Sequence, residues 1–402
     1  MRATLRFVVA VSLVVGAVAA YAGPAASQAP AWSITPSATP AGSGGRAAIA
    51  GTALVSVSCT GTSCFGVGHY VTPGNSTAPL IERSTPSGWV IVLSPTMHTA
   101  FSELRGVSCP GTTLCFAVGL WDSTTGAKTL IERWNGTTWS IMSSPNKPRW
   151  GGSLSGVSCS STRDCFAVGR YDAALVATLM EHWNGSKWTI VPSPSRKRSP
   201  MFSTPGYNDL QSVSCMSAGS CFAVGSDSDY LYTLNETLIE QWNGSKWTIV
   251  PSPNGPGTKY SNLASVACPS AKSCYAVGDS FATKGTNPAM NTLIVHWDGT
   301  SWTRVVTADR AGARRSMLLG VSCPSPTSCT AVGSNSDSTG QNFTTLTKSL
   351  TDGNWSVVSS PDPLGGSSIS LDAVTCAAET TCSAVGGFQN GAVPETLVEQ
   401  SA

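Results

Sequence analysis

Nine residues of this 402-residue chain have the types and setting to hold a ligand: Tyr70, Trp121, Asp122, Arg170, Tyr171, Asp172, Asp227, Asp229 and Asp279. All follow closely on a recurring Ala-Val-Gly or Gly-Val-Gly, in the runs His69-Tyr70, Leu120-Trp121-Asp122, Arg170-Tyr171-Asp172, Ser226-Asp-Ser-Asp-Tyr230 and Asp279-Ser-Phe281. An aromatic ring can stack on a pyranose face while neighbouring carboxylates and guanidinium groups bond its hydroxyls. The structural alternative is that the rings plug crevices between repeated units and the acids cap turns. A second set is basic: Lys147, Arg149 and Trp150, then Arg196-Lys-Arg198, then Arg310 and Arg314-Arg315. It would suit an anionic polymer, or simply be a solvated loop surface.

Glu82, Glu132, Glu181, Glu240 and Glu399 recur at one place in a repeat. Glycosidases work with a pair of carboxylates, but a five-fold recurrence marks something every repeat needs, so structural hydrogen bonding is expected. No Gly-x-Ser-x-Gly elbow, His-Glu-x-x-His or phosphate-binding glycine loop occurs. The Asp227 and Asp229 stretch and the Asn335 and Asp337 stretch lack the ligand spacing of a calcium loop, and neither a metal nor a cofactor is expected. A net charge of +2 with only 11% charged residues leaves no basic field for nucleic acid.

The 14 cysteines fall into seven close pairs. They are Cys59 with Cys64, Cys109 with Cys115, Cys159 with Cys165, Cys215 with Cys221, Cys268 with Cys274, Cys323 with Cys329, and Cys376 with Cys382. Zinc sites favour two-residue spacings with histidines nearby, and the chain has only 4 His. Seven disulfides, each within one repeat, are therefore expected. Each closes a short loop, stabilising by about 2–2.5 kcal/mol in the chain-entropy model.

Positioning falls to a repeat of about 50 residues, since the second cysteines lie 51, 50, 56, 53, 55 and 53 apart. Such a period is that of propeller blades. In the repeat 104–144 four strands are expected: Leu104 to Cys109, Cys115 to about Trp121, Lys128 to Trp134, and Trp139 to Ser144. The Asn-Gly of Trp134-Asn-Gly-Thr-Thr-Trp139 makes a tight turn between the last two. The seventh repeat stops after its third strand at Thr396-Leu-Val-Glu-Gln400, and Trp32-Ser-Ile-Thr-Pro-Ser37 supplies the missing fourth. The expectation is an all-β, seven-bladed β-propeller over residues 32–402, closed by the N-terminal strand completing the last blade. The cysteine turns and Asn-Gly turns should share one face, leaving the variable loops, and ligand binding, to the other.

The Trp-Asn-Gly-x-x-Trp hairpin resembles the Asp-box of secreted bacterial propellers in the Asp-box and kelch-like class. Here Trp replaces the Ser/Thr-x-Asp opening, and only Asp298 keeps an acid at the turn. The resemblance implies the propeller fold and, for activity, a sialidase-like enzyme. That family's three converging arginines and Tyr–Glu pair have no matching setting among Arg83, Arg105, Arg133, Arg163 and Arg170.

Met1 to Arg6 is basic and Phe7 to Ala20 apolar, followed by small residues, the order of a secretory signal peptide. It is assigned to residues 1–22, with 23–31 as a linker. The apolar run is short of the roughly 20 residues that span a bilayer. The expectation is a secreted, monomeric, non-enzymatic propeller, free or wall-associated, with no membrane span after cleavage, that binds an extracellular glycan or protein. A glycoside hydrolase or lyase using Asp122, Asp172 and Asp227 is the alternative.

Overall fold

The computed structural model describes residues 31–40, 51–95, 99–147, 151–172, 176–196, 206–229, 231, 233–281 and 289–401. The signal-peptide expectation lies outside these residues, as do Arg149, Trp150, Lys197, Arg198 and Tyr230. The described residues form 28 β-strands and no helix, so no helix among them is long and apolar enough to cross a membrane. The strands make six sheets: five have four strands, and the sixth joins two four-stranded units through one parallel pairing of Asn235 with Tyr260. Six units run in order over residues 53–91, 102–141, 152–190, 207–250, 260–305 and 316–358. The seventh combines 366–401 with Trp32–Ile34.

The second unit shows how sequence becomes structure. Its strands are Ser102–Gly111, Leu114–Ser123, Gly126–Trp134 and Trp139–Ile141. The first is longer than its hydrophobic pattern indicated, because polar Glu103 flanks Leu104 yet keeps the ladder. The fourth is shorter and ends at Ile141, after which only Met142 N–H still bonds the Ile131 carbonyl. At the turn, Asn135 Oδ1 accepts the backbone N–H groups of Thr137 and Thr138, and Gly136 takes a φ of 101°. Asp298 does the same in the fifth unit, and the hydrogen bond from the Thr300 hydroxyl, with those from the Ser301 and Thr300 backbone N–H groups, holds its carboxyl down to about 2.

All seven expected disulfides are present. Cys59 is bonded to Cys64, Cys109 to Cys115, Cys159 to Cys165 and Cys215 to Cys221. Cys268 is bonded to Cys274, Cys323 to Cys329 and Cys376 to Cys382. The two halves of each bridge differ in setting. Cys64, Cys115, Cys165, Cys221, Cys274, Cys329 and Cys382 are buried in the cores, whereas their partners are only half-buried. The turn that each bridge closes packs beside the Asn-Gly turn of the same unit. Trp134 Nε1 donates to the Thr112 carbonyl, and Trp183, Trp242 and Trp297 repeat that bond in their units. The two constant turns therefore share one end of the sheets.

The core lies between units rather than inside them. Phe65 of the first unit stacks against Trp134 and Trp139 of the second, with centroids 5.1 and 5.2 Å away, and Phe116 meets Trp183 and Trp188 at the same distances. The Ser of each Val-Ser-Cys zips neighbouring first strands together. Ser58 Oγ accepts Cys109 N–H, and Ser108 and Ser158 accept Cys159 and Cys215 N–H. The last and first units share a core too, in which Val385 and Val398 pack with Leu54, Leu80 and Trp89.

Trp32–Ile34 pairs antiparallel with Val393–Ser401, in the register Trp32↔Ser401, Ser33↔Gln400 and Ile34↔Glu399. The segment then reaches the first unit, where Ser37 Oγ donates to Glu82 Oε2 at 2.6 Å and Trp89 N–H bonds the Pro36 carbonyl.

That Ser-to-Glu bond is the purpose of the recurring glutamates. Ser94 donates to Glu132, Ser144 to Glu181, Ser193 to Glu240 and Ser360 to Glu399, each across a boundary between successive units. All five glutamates are completely buried. Two units depart from the rule. The fifth has Val295 at the Glu position, and Ser252 bonds Thr237 instead. The sixth has Lys348, fully buried, whose Nζ bonds Thr292, Thr307, the Ala308 carbonyl and Asp309 at 2.7–3.0 Å.

Burial pushes Glu82 and Glu399 up to about 7, and Glu132, Glu181 and Glu240 up to about 8, against the lowering effect of the serine hydrogen bonds. The native state then keeps protons that the unfolded chain releases near pH 4.5. Stability must fall as pH rises from about 4.5 through 7–8, with each group contributing up to about 1.4 kcal/mol per pH unit in that window. Thermal melting should therefore show a higher Tm at pH 5 than at pH 8. Glu240→Gln, which keeps the shape and removes one of the five titrations, should reduce that difference by about one group's share, and the same change at all five positions should flatten it; a parental slope in the five-fold variant would refute this account.

Candidate ligand-binding site

Each first strand breaks register just after a constant leucine, at Leu54/Ser56, Leu104/Gly106, Leu154/Gly156, Leu210/Ser212, Leu263/Ser265, Leu318/Gly320 and Leu371/Ala373. The extra residue of a bulge is unpaired in the ladder and is re-aimed. Here those residues include Arg105, Ser155, Gln211, Ala264, Leu319 and Asp372, and together with Val55 they line a single cavity of about 150 Å³. All seven first strands contribute to its wall. The bulge also explains the glycine of Ala-Val-Gly, since a Cβ on Gly119 would sit 1.9 Å from the Glu103 carbonyl oxygen.

Above the bulge, at the end of each first strand farther from the disulfide turn, side chains form two polar clusters, one across the first and second units and one across the third and fourth. Glu103 Oε1 accepts Arg105 Nε at 2.5 Å, and its Oε2 lies 3.8 Å from His69 Nδ1. Asp209 Oδ2 accepts both Arg170 Nη1 and Gln211 Nε2 at 2.8 Å. Burial raises the Asp209 carboxyl, opposed first by Arg170 and also by Arg105, whose charge therefore reaches the acid of a unit two places along. Burial lowers His69, outweighing the pull of Glu103. On the remaining sides, burial raises Asp279 to about 6 against a hydrogen bond from Asn262. It raises Asp372 to about 6 against the 2.6 Å bond from Ser370 Oγ. Ala264, Leu319 and Val55 make the rest of the wall apolar.

Strand alternation sorts the nine sequence candidates. The residue straight after the glycine pairs with a mouth residue of the first strand: Arg170 with Ser153, and Asp279 with Asn262, as His69 does with Ala53. The next residue turns to the crevice between units. Trp121 and Tyr171 pack half-buried against the interunit cores, and the Lys147 ammonium sits 3.8 Å over the Tyr171 ring. Tyr70 packs likewise and borders a separate cavity of about 170 Å³ with Pro79 and Leu93. Asp227 is fully buried, 3.6 Å from Arg196. Asp229 accepts the Thr233 and Leu234 backbone N–H groups and so closes a loop. Asp122 and Asp172 are exposed. The nine thus do not converge: Arg170 and Asp279 belong to the mouth, and the others are spread over crevices and loops.

Glu103, Asp209, Gln211 and Asp372 were not singled out by sequence reasoning. Their signal was present, however, as polar residues on either side of the constant leucine in Glu103-Leu-Arg105, Asp209-Leu-Gln211 and Ser370-Leu-Asp372. Of the basic loop residues, Arg196 is turned inward to the Thr237 carbonyl, whereas Arg310 stays exposed and reaches the Thr344 hydroxyl at 3.5 Å. Another cavity, of about 280 Å³, lies beside Thr292, Arg304 and Asp309 at the flank of the fifth unit. It gathers side chains from a single boundary, whereas the cavity along the first strands gathers residues from every unit.

No protein-family model matches the sequence, and no curated protein is significantly similar to it. Among solved structures the chain is similar to an ulvan lyase of a polysaccharide lyase family, bound to a glucuronic acid–sulfated rhamnose unit, at 9% identity and a TM-score of 0.54. That match covers 85% of this chain and 90% of the lyase. A Hadza microbial sialidase matches at 12% identity and a TM-score of 0.45, over 80% of this chain and 73% of that one. A fungal lectin from Aleuria aurantia, a six-bladed β-propeller with a fucose recognition mode, matches at 9% and 0.43, over 77% and 95%. At these identities only the fold follows: an all-β chain of four-stranded antiparallel sheets with β-propeller neighbours.

Proposed function

We propose that this chain is an extracellular, non-enzymatic binding propeller, closed as a ring of seven blades, that takes a glycan at the axial mouth of its variable-loop face. The observation that carries this reading is the mouth itself. Arg105, Gln211 and Asp372 of three blades line one cavity there, and Glu103, Asp209 and Ser370 hold them in place. Donors and acceptors held in advance lower the ordering cost of binding a hydroxyl-rich ligand. Their carboxylates are engaged by Arg105 and Arg170, an arrangement suited to recognition more than to proton transfer. Ring closure is supported by the Ser37–Glu82 bond and by the shared core of the last and first units. Export is supported by the seven disulfides, which persist in oxidising compartments. The kinship of the Trp-Asn-Gly hairpin with the Asp-box belongs to the same proposal and rests on its turn geometry.

A lyase or hydrolase is the second reading, favoured by Asp279 and Asp372, whose carboxyls at about 6 could exchange protons near neutrality. The test is binding of residues 31–402, disulfides intact, to an array of glycans and cell-wall polymers, with every spot assayed for cleavage. Binding without cleavage, weakened at least tenfold by Asp209→Asn, is expected. Cleavage would put the enzyme first. Loss in Trp121→Ala or Tyr171→Ala alone would move the site to the crevices, and silence across the array would end the glycan reading.

A further inference from the structure

The fifth unit departs from the common plan on the face it turns to the fourth, where Leu293, Val295 and Trp302 pack with Phe222. In the other six units an aliphatic residue of the fourth strand stands opposite the buried third-strand position: Ile34, Ile91, Ile141, Ile190, Ile249 or Val357. The fifth reverses the pair, with Val295 on the third strand and an exposed Arg304 on the fourth. Ser280 and Asn291 stand directly opposite each other on the second and third strands. Strand alternation puts these two, Leu293 and Arg304 on the same face of the sheet. With Pro256 and Thr258 of the preceding connection they line the cavity of about 280 Å³. The equivalent niche of the first unit is the cavity of about 170 Å³, where the same four positions are Tyr70, Ala78, Leu80 and Ile91. Three of the four have changed from apolar to hydrogen-bonding in the fifth unit.

Those three groups have no partner in the protein. Ser280 is only 3% exposed, yet its hydroxyl makes no hydrogen bond among the described residues. Nor is it one of the fully enclosed oxygens, so a ligand in the cavity can reach it. Arg304 and Asn291 make no side-chain hydrogen bond or ion pair among the described residues either. Asp309, the acid at the edge of the cavity, is already engaged by Thr292 and by the Lys348 ammonium, which balances its charge. The uncompensated charge of the cavity is therefore that of Arg304.

We propose that this cavity is a second site, separate from the axial mouth, for an acidic sugar unit. The Arg304 guanidinium forks onto a carboxylate or sulfate-ester group, Asn291 and Ser280 bond ring hydroxyls, and the C–H face of the ring lies along Leu293 and Pro256. The planar fork of arginine fits either oxyanion. A bare inorganic anion would occupy a small part of the volume and leave the Ser280 hydroxyl unbonded. Arg304 is the specificity-determining residue, because the niche of the first unit has the same frame and no charge. The site does not depend on the mouth: neither cavity shares a lining residue with the other.

The experiment is calorimetric titration of residues 31–402 with four probes: a galacturonic acid tetramer, a sulfated galactose tetramer, a neutral galactose tetramer and sodium sulfate. Expected is binding of one or both acidic tetramers and not of the neutral one, the arm that binds telling carboxylate from sulfate ester. Affinity should fall about tenfold or more in Arg304→Ile and less in Arg304→Lys, which keeps the charge and loses the fork. Arg304→Ile installs the residue that most other units carry, so it should melt like the parent and report on binding alone. Ser280→Ala tests the wall with the guanidinium in place and should also weaken binding. Equal binding of the neutral tetramer would overturn the acidic assignment. Acidic binding untouched by both Arg304→Ile and Ser280→Ala would overturn this site while leaving the mouth, which Asp209→Asn tests separately. Binding of sulfate without either acidic tetramer would reduce the site to an ion site and overturn the sugar, and binding of none of the four would overturn the proposal outright.

Discussion

Asp309→Ala is expected to destabilise the protein by about 3–5 kcal/mol, the usual result of leaving one partner of a buried ion pair uncompensated. Lys348 is completely buried and Asp309 is its only anionic partner among the described residues, at 2.8 Å. The three remaining acceptors, Thr292, Thr307 and the Ala308 carbonyl, are neutral. At this chain length the loss corresponds to a Tm drop on the order of 4–6 °C. Lys348→Met should behave differently, because removing the charge together with its desolvation cost is often neutral. The sharper comparison restores the arrangement of the other blades. Thr307 stands where Ser144 and Ser193 stand, and Asp309 where Asn146 stands. Lys348→Glu alone should therefore be as damaging as Asp309→Ala, since it sets two acids together. Lys348→Glu combined with Asp309→Asn should recover most of the parental Tm. A double variant no better than the single one would mean that the boundary between the fifth and sixth units does not follow the common plan.

How much of this was legible in the sequence depended on whether a residue recurs. The cysteine pairs, the Trp-Asn-Gly turns and the glutamates recur, and recurrence identified them as scaffold, which the Ser–Glu and Trp–carbonyl bonds bear out. The fourth strand supplied by Trp32–Ile34 was legible for the same reason, by likeness to Trp139-Ser-Ile141. Individual mouth residues were less so. Glu103 and Arg105 flank Leu104, and a period-2 reading places them on one face together. The bulge after Leu104 re-aims Arg105, and whether a strand carries a bulge depends on how its neighbours pack. The aromatics part from the mouth for a related reason: Trp121 and Tyr171 are one residue beyond the mouth position, and one residue along a strand is the opposite face. Lys348 was not anticipated at all, because its meaning lies in Asp309, 39 residues away and in the preceding unit.

Removing residues 31–38 should be the most damaging change of all, because it takes away the strand on which the proposed ring closure depends. Four things are lost together. Trp32, only 9% exposed, leaves the core it shares with Ile369, Leu371 and Leu397; emptying a buried aromatic site costs about 3–5 kcal/mol. Thr35 no longer bonds the Val398 carbonyl, and Pro36 no longer accepts Trp89 N–H. Glu82 loses the Ser37 hydroxyl while remaining buried. The strand Val393–Ser401 becomes an open edge, which other chains can pair with. The truncated protein should melt well over 10 °C lower on the usual scaling of Tm with stability, and should scatter light on warming where the parent does not. Moving the segment Ala31-Trp-Ser-Ile-Thr-Pro-Ser-Ala38 to follow Ala402 through a short Gly-Ser linker should restore both properties, since the partner strand runs through Ser401. A truncated protein that melts like the parent would show that the last and first units hold together without this strand, and closure would then rest on the Val385, Val398 and Leu54 core alone. Recovery in the permuted chain is the stronger result, because it separates the pairing of the strand from the mere length of the N-terminus.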